Sequence, residues 1–130
     1  MGSRIMIENP MDKAPTRFSQ ILFVNHPVMP ESKMDRLVFP NGWTISIIQG
    51  PWTMGGQNGL YEVAFIDAAG QLREDHGFPG YEGEQAFGHL TEKEVLAACR
   101  HAASLPKENL KPTKRKRRRR LIIKDENDIV

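Results

Sequence analysis

Apolar and polar positions first fall into register at residue 35. Asp35-Arg36-Leu37-Val38-Phe39 runs into Pro40-Asn41-Gly42, after which Trp43, Ile45 and Ile47 alternate with Thr44 and Ser46. Period-two alternation on both sides of an Asn-Gly pair, which tolerates the positive φ of a tight turn, predicts a β-hairpin. A third strand is expected over 60–67, where Tyr61, Val63 and Phe65 share a face opposite Glu62. Asp67-Ala68-Ala69-Gly70 reads as a turn into a short fourth strand over 71–74.

The period then changes from two to helical. Thr91-Glu92-Lys93-Glu94 is a capping box, in which the Thr91 hydroxyl accepts from the Glu94 amide and the Glu94 carboxylate reaches back. Leu90 and Val95 occupy the positions of a hydrophobic staple. Val95, Leu96, Ala98, Cys99, Ala102 and Leu105 form an apolar stripe, so a helix is expected from residue 92 to about 104, with Pro106 ending it. The fold class that follows is α+β: a small antiparallel β-meander of three to five strands packed by one C-terminal helix, with disordered N- and C-terminal tails.

Between these elements lie two glycine-rich stretches. Residues 50–59, GPWTMGGQNG, hold four Gly and one Pro and read as an irregular connection. Residues 75–89 hold Gly77, Gly80, Gly83 and Gly88 and read as a long loop, mobile or a contact surface. Residues 1–33 carry Pro10, Pro15, Pro27 and Pro30 without a sustained period, and only Ile21-Leu22-Phe23-Val24 suggests an edge strand. The domain organisation read from the chain is therefore an extended segment over 1–33, an α+β domain over 34–106, and a tail over 107–130.

Charge changes the picture of that tail. Residues 1–106 hold 8 Lys and Arg against 12 Asp and Glu, residues 107–120 hold 9 against 1, and residues 121–130 hold 1 against 3. The formal net charge of +2 thus conceals a mildly acidic body carrying one dense basic run. Lys114, Arg115, Lys116, Arg117, Arg118, Arg119 and Arg120 are the candidate nucleic-acid-binding residues, because closely spaced cations release counterions from phosphates and bind without sequence preference. A solvated tail or a nuclear-localisation-type patch explains the same run. No aromatic side chains interleave with it, which argues against base stacking.

Candidate protein contacts are Trp52 and Met54 in the first glycine-rich stretch and Phe78 and Tyr81 in the second, since large aromatics and Met gather at interface centres. For Trp52 the competing reading is a plug over the end of the core. Gly56-Gln57-Asn58-Gly59 spells GxxG but lies between predicted strands, without the helices or basic neighbours a backbone clamp requires.

Catalytic and metal chemistry find little to stand on. His26, His76, His89 and His101 have no metal-ligand spacing, Cys99 lies on the apolar stripe, and Glu74, Asp75, Glu82 and Glu84 are glycine-spaced acids that read as solvated. No nucleophile, base and orienting group can be nominated together, so the chain reads as non-enzymatic, with no metal and no cofactor. A single cysteine, no signal-peptide pattern and no long apolar run predict a cytoplasmic protein, or a nuclear one in a eukaryotic cell through the basic run.

Phe39-Pro40-Asn41-Gly42-Trp43, Gly59-Leu60-Tyr61-Glu62-Val63-Ala64 and Thr91-Glu92-Lys93-Glu94-Val95-Leu96 together resemble a type of small accessory protein encoded by phages and prophages. The resemblance implies a non-enzymatic binder acting on a host or phage protein or nucleoprotein target, including inhibitors of host defence. It carries over no functional residue, and it leaves residues 1–33 and the basic tail outside the match. The alternative is a nucleic-acid-binding protein that uses its Arg/Lys-rich tail for sequence-independent DNA or RNA contact.

Overall fold

A computed structural model describes residues 8–107. Within them six strands form one sheet: β1 (Glu8–Pro10), β2 (Val24–Asn25), β3 (Lys33–Val38), β4 (Thr44–Gln49), β5 (Tyr61–Ile66) and β6 (Ala86–Leu90). One helix, α1 (Glu92–Ser104), follows. The order across the sheet is β1-β3-β4-β5-β6, and β2 pairs with the other half of the β3 edge that β1 occupies. The fold is α+β with a C-terminal helix, and β3 to β6 are antiparallel neighbours. β1 lies parallel to β3, which makes the sheet mixed.

The Asn-Gly hairpin is built as its residues dictate. Gly42 takes φ 91° and its N–H donates to the Phe39 carbonyl. The Asn41 side chain then does two things: its Oδ1 accepts from the Trp43 amide, and its Nδ2 donates to the Ala102 and Leu105 carbonyls at 2.8 and 3.0 Å. One turn residue thereby caps two carbonyls at the end of α1, of which that of Ala102 also accepts from the Leu105 amide. At the other end, the Thr91 Oγ1 accepts from the Glu94 amide and Glu94 Oε1 accepts from the Thr91 amide, completing the capping box.

Strand parity sorts the sheet into two faces. Leu37, Ile45, Ile47, Val63, Phe65 and Phe87 face the same side and meet Val95, Ala98, Cys99 and Ala102 of α1 in the core. The same face is covered beside the helix by the segment between β1 and β2, which buries Ile21 and packs Phe18 and Phe23 on Tyr61. Asp35 fastens this segment. Its carboxylate, buried on the core face of β3, accepts from Asn9 Nδ2 on β1, from the Leu22 amide, and from the Arg36 amide.

The expected fourth strand over 71–74 is absent. Only Leu72 bridges Ile66, with Asp67 Oδ1 accepting from the Ala69 and Gln71 amides in the turn. The reason is competition for one edge: β6 already pairs with Tyr61, Val63 and Ala64 of β5. The stretch 75–89, expected to be loop throughout, accordingly supplies β6 from its last residues. The remainder is ordered by His76, whose Nε2 lies 2.8 Å from the Glu84 carbonyl and whose Nδ1 accepts from the Phe78 amide at 3.0 Å. An accepting Nδ1 places the proton of the neutral ring on Nε2. Residues 1–7 and 108–130 lie outside the described residues; the rest of the segment 1–33, expected as a disordered extension, is instead folded onto the sheet through β1, Ile21 and β2.

Candidate interaction surface

Residues 50–60 form a compact connection between β4 and β5 in which close backbone approach selects glycine. A Cβ on Gly56 would overlap the Gly50 carbonyl and Thr53 Oγ1, and one on Gly50 would overlap the Ser32 side chain. Thr53 Oγ1 accepts from the Gly50 amide and donates to its carbonyl, closing the first turn. Gly55 and Gly59, at φ 88° and 77°, bracket a single 3-10 turn at Gly56–Asn58, and the Leu60 amide donates back to the Gly55 carbonyl. The GxxG tetrapeptide is this turn, with no flanking helix.

The connection folds onto the end of β6. Met54 seats against Gly88, where a Cβ would sit 2.2 Å from the Met54 Cβ, and the Met54 carbonyl accepts from the His89 amide. Its own amide donates to Glu62 Oε1 at 3.0 Å. His89 takes φ 65°, an uncommon conformation for a residue with a side chain, at the point where β6 bends under Met54.

What this rigid piece holds outward is Trp52, 69% exposed, with Met54 at 42%. Trp52 is therefore no plug over the core; that position is taken by Tyr61, Phe18 and Phe23. Beside it, the turn 25–33 and the start of the glycine connection enclose an open groove of about 1040 Å³, lined by residues including His26, Val28, Pro30, Gln49, Pro51 and Gln57. Val28 on its rim is 84% exposed. A smaller recess of about 360 Å³ lies between Pro51, Trp52, Gln57, Asn58 and His89. Lys33, which lines the groove, spends its charge on the Phe23 ring, with Nζ 4.7 Å from the centroid.

The other expected contact residues fall elsewhere. Phe78 belongs to the core, stacked among Phe65 and Phe87, which corrects its reading as a partner contact: the turn held by His76 drives it inward. Tyr81 is half-buried, 4.2 Å from Phe87, and no contact joins it to Trp52 or Met54 among the described residues. Lys114 to Arg120 lie outside the described residues.

The titratable groups that sequence reading set aside have structural uses here. His26 Nδ1 accepts from the Val28 and Met29 amides, and His101 Nε2 reaches the His76 carbonyl. Burial pushes the Cys99 thiol up to about 12. Among the described residues, no three His, Cys, Asp or Glu side chains gather closely enough to hold a metal ion. None of the described helices is long and apolar enough to cross a membrane. The groove wall formed by Pro27, Val28 and Pro30 was missed by sequence reading; its signal was two prolines closing a turn around exposed apolar residues.

No protein-family model matches the chain, and neither a curated protein nor a solved structure matches it.

Proposed function

We propose that this protein is a non-enzymatic binding module that engages a protein or nucleoprotein target through the sheet end carrying Trp52. The observation behind this reading is a tryptophan 69% exposed on a connection whose glycines are fixed by close contacts. Folding gains nothing from that placement, and Trp is the residue type most concentrated at energetic centres of interfaces. Met54, Val28 and the adjoining groove extend the patch with adaptable apolar surface. A phage-type accessory role, acting on host or phage machinery, rests on the sequence resemblance alone and is compatible with such a module.

Photo-crosslinking tests it. A benzophenone side chain at position 52 of the full chain, expressed in cells, is expected to give a discrete protein adduct, whereas the same group at exposed Glu74 gives none. Equal, diffuse labelling from both positions refutes the reading.

The density of cations over 111–120 supports a second reading, sequence-independent nucleic-acid contact through the tail. Full chain and a chain ending at Lys107 are compared on duplex and single-stranded probes across a salt series. A log–log slope of roughly −5 for the full chain on duplex DNA, as about six neutralised phosphates give, with no binding by the shortened chain, identifies the tail as the determinant. Equal binding by both chains, or none by either, removes this reading.

A further inference from the structure

Two Asn-Gly pairs occur in the chain, Asn41-Gly42 and Asn58-Gly59, and both sit in the same kind of turn. The Gly42 amide donates to the Phe39 carbonyl and the Gly59 amide to the Gly56 carbonyl, each at 3.0 Å and each three residues back. Both glycines hold a positive φ, 91° and 77°. An asparagine followed by glycine is the pair most open to attack on its own side-chain amide, because the glycine carries no Cβ to hinder the approach of its nitrogen. With the backbone alike at both pairs, what separates them is the hold on the asparagine side chain.

At Asn41 that side chain is locked. Its Nδ2 donates to the Ala102 and Leu105 carbonyls and its Oδ1 accepts from the Trp43 amide. Turning its amide carbon toward the Gly42 nitrogen breaks all three bonds and uncaps the end of α1. Asn58 is exposed, and its side chain makes no hydrogen bond among the described residues. It is the last residue of a lone 3-10 turn, a conformation of poor hydrogen-bond geometry. The close contacts that fix this connection lie at Gly50, Gly55 and Gly56, whereas a Cβ on Gly59 would meet nothing within 4 Å. Opening one exposed backbone bond therefore frees the Gly59 nitrogen to reach Asn58 Cγ.

We propose that Asn58 is a site of spontaneous covalent modification, converting to aspartate and isoaspartate while Asn41 in the same folded chain is spared. Hydroxide takes the Gly59 amide proton, and the nitrogen forms a bond to Asn58 Cγ. The Cγ–Nδ2 bond breaks, and the departing nitrogen takes a proton from water and leaves as ammonia, closing a succinimide ring. Water then adds to one of the two ring carbonyls, the bond from that carbon to nitrogen breaks, and the nitrogen regains its proton. Opening at Cγ gives aspartate on the ordinary backbone; opening at the main-chain carbonyl routes the backbone through Cβ and Cγ and gives isoaspartate. Either product puts a carboxylate at position 58, which lines the recess shared with Trp52 and His89. The conversion needs no partner, so its failure leaves the role of Trp52 untouched, and a failure of that role leaves the conversion untouched.

The full chain is incubated in mildly alkaline heavy-oxygen water, either folded or in urea, and then digested in ordinary water, so that oxygen label in a side chain marks conversion during the incubation. Peptide mass mapping over time gives a rate at each asparagine. In the folded chain Asn58 is expected to convert about tenfold or more faster than Asn41, the scale set by the hydrogen bonds that only Asn41 must give up. In urea, where that lock is gone, the two rates are expected to converge. Equal rates in the folded chain, with both asparagines protected or both reactive, overturn the proposal, as does a faster Asn41. A difference that persists undiminished in urea belongs to the flanking sequence and overturns the structural cause.

Discussion

Removing the Asp35 carboxylate should detach the N-terminal segment from the sheet. Asp35→Ala takes away the acceptor shared by Asn9 Nδ2 and the Leu22 amide, at 3.2 and 2.9 Å, and the one that holds the Arg36 amide at 2.9 Å. Leaving a buried donor unpaired costs about 1–3 kcal/mol, and the half-buried Asn9 amide can turn to water, so two orphaned backbone amides set the scale. Burial raises the Asp35 pKa against its three donors, so relief from holding that charge offsets part of the loss. The net expectation is about 2–4 kcal/mol, which lowers Tm by roughly 10–20 °C for a domain of this size. A urea melt followed by tryptophan fluorescence reports it, because Trp43 is buried against Pro106 while Trp52 is exposed in every state. Hydrogen exchange at the Leu22 amide should accelerate more than exchange in β4. A carboxyl whose folded pKa is raised contributes stability that is fully present below its ordinary value and declines as pH rises through the raised one. The gap between wild type and Asp35→Ala should therefore be wider in acid than at neutrality. A loss below about 1 kcal/mol, or a Leu22 amide as protected as before, would refute Asp35 as the fastening point.

Three further outcomes follow from the same geometry. Gly88→Ala forces a methyl to 2.2 Å from the Met54 Cβ and 2.5 Å from its carbonyl oxygen, and is expected to cost about 1–3 kcal/mol and shift the Trp52 emission, read by chemical melt and fluorescence. Trp52→Ala should leave stability within about 0.5 kcal/mol, since the side chain packs on nothing that folding needs; a larger loss in a thermal melt makes it a structural residue. Arg73, hydrogen-bonded to Asp75, holds that carboxyl below its ordinary value. Its contribution is present above the ordinary carboxylate pKa and is lost as pH falls through the lowered one, so Asp75→Asn should flatten the acid limb of a stability profile.

The elements that sequence disclosed are those whose signal is local. The β3–β4 hairpin follows from Asn41-Gly42 and the flanking alternation, and α1 follows from Thr91, Glu94 and the stripe from Val95 to Ala102. β6 was hidden because Gly88 and His89 interrupt its pattern, and both are there to fit Met54, a contact made thirty-four residues away. β1 was hidden because three residues with a terminal proline carry no period; only its partner on β3 makes it a strand. The exposure of Trp52 went against the plug that sequence favoured, since it depends on which aromatics fill the core end. His76 and Phe78 were equally opaque, for a histidine that satisfies a loop looks in sequence like any other.

The glycine contacts of residues 50–60 also bear on how tightly Trp52 can hold a partner. Fixing a residue's backbone costs about 1–2 kcal/mol, so an eleven-residue connection that ordered only on binding would forfeit on the order of 10 kcal/mol of interaction energy. Here that loss is met during folding, through Ser32, Thr53, Glu62 and Gly88. Association has only the two side-chain torsions of the tryptophan left to restrict, which is the circumstance in which a small patch can bind with useful affinity and release slowly.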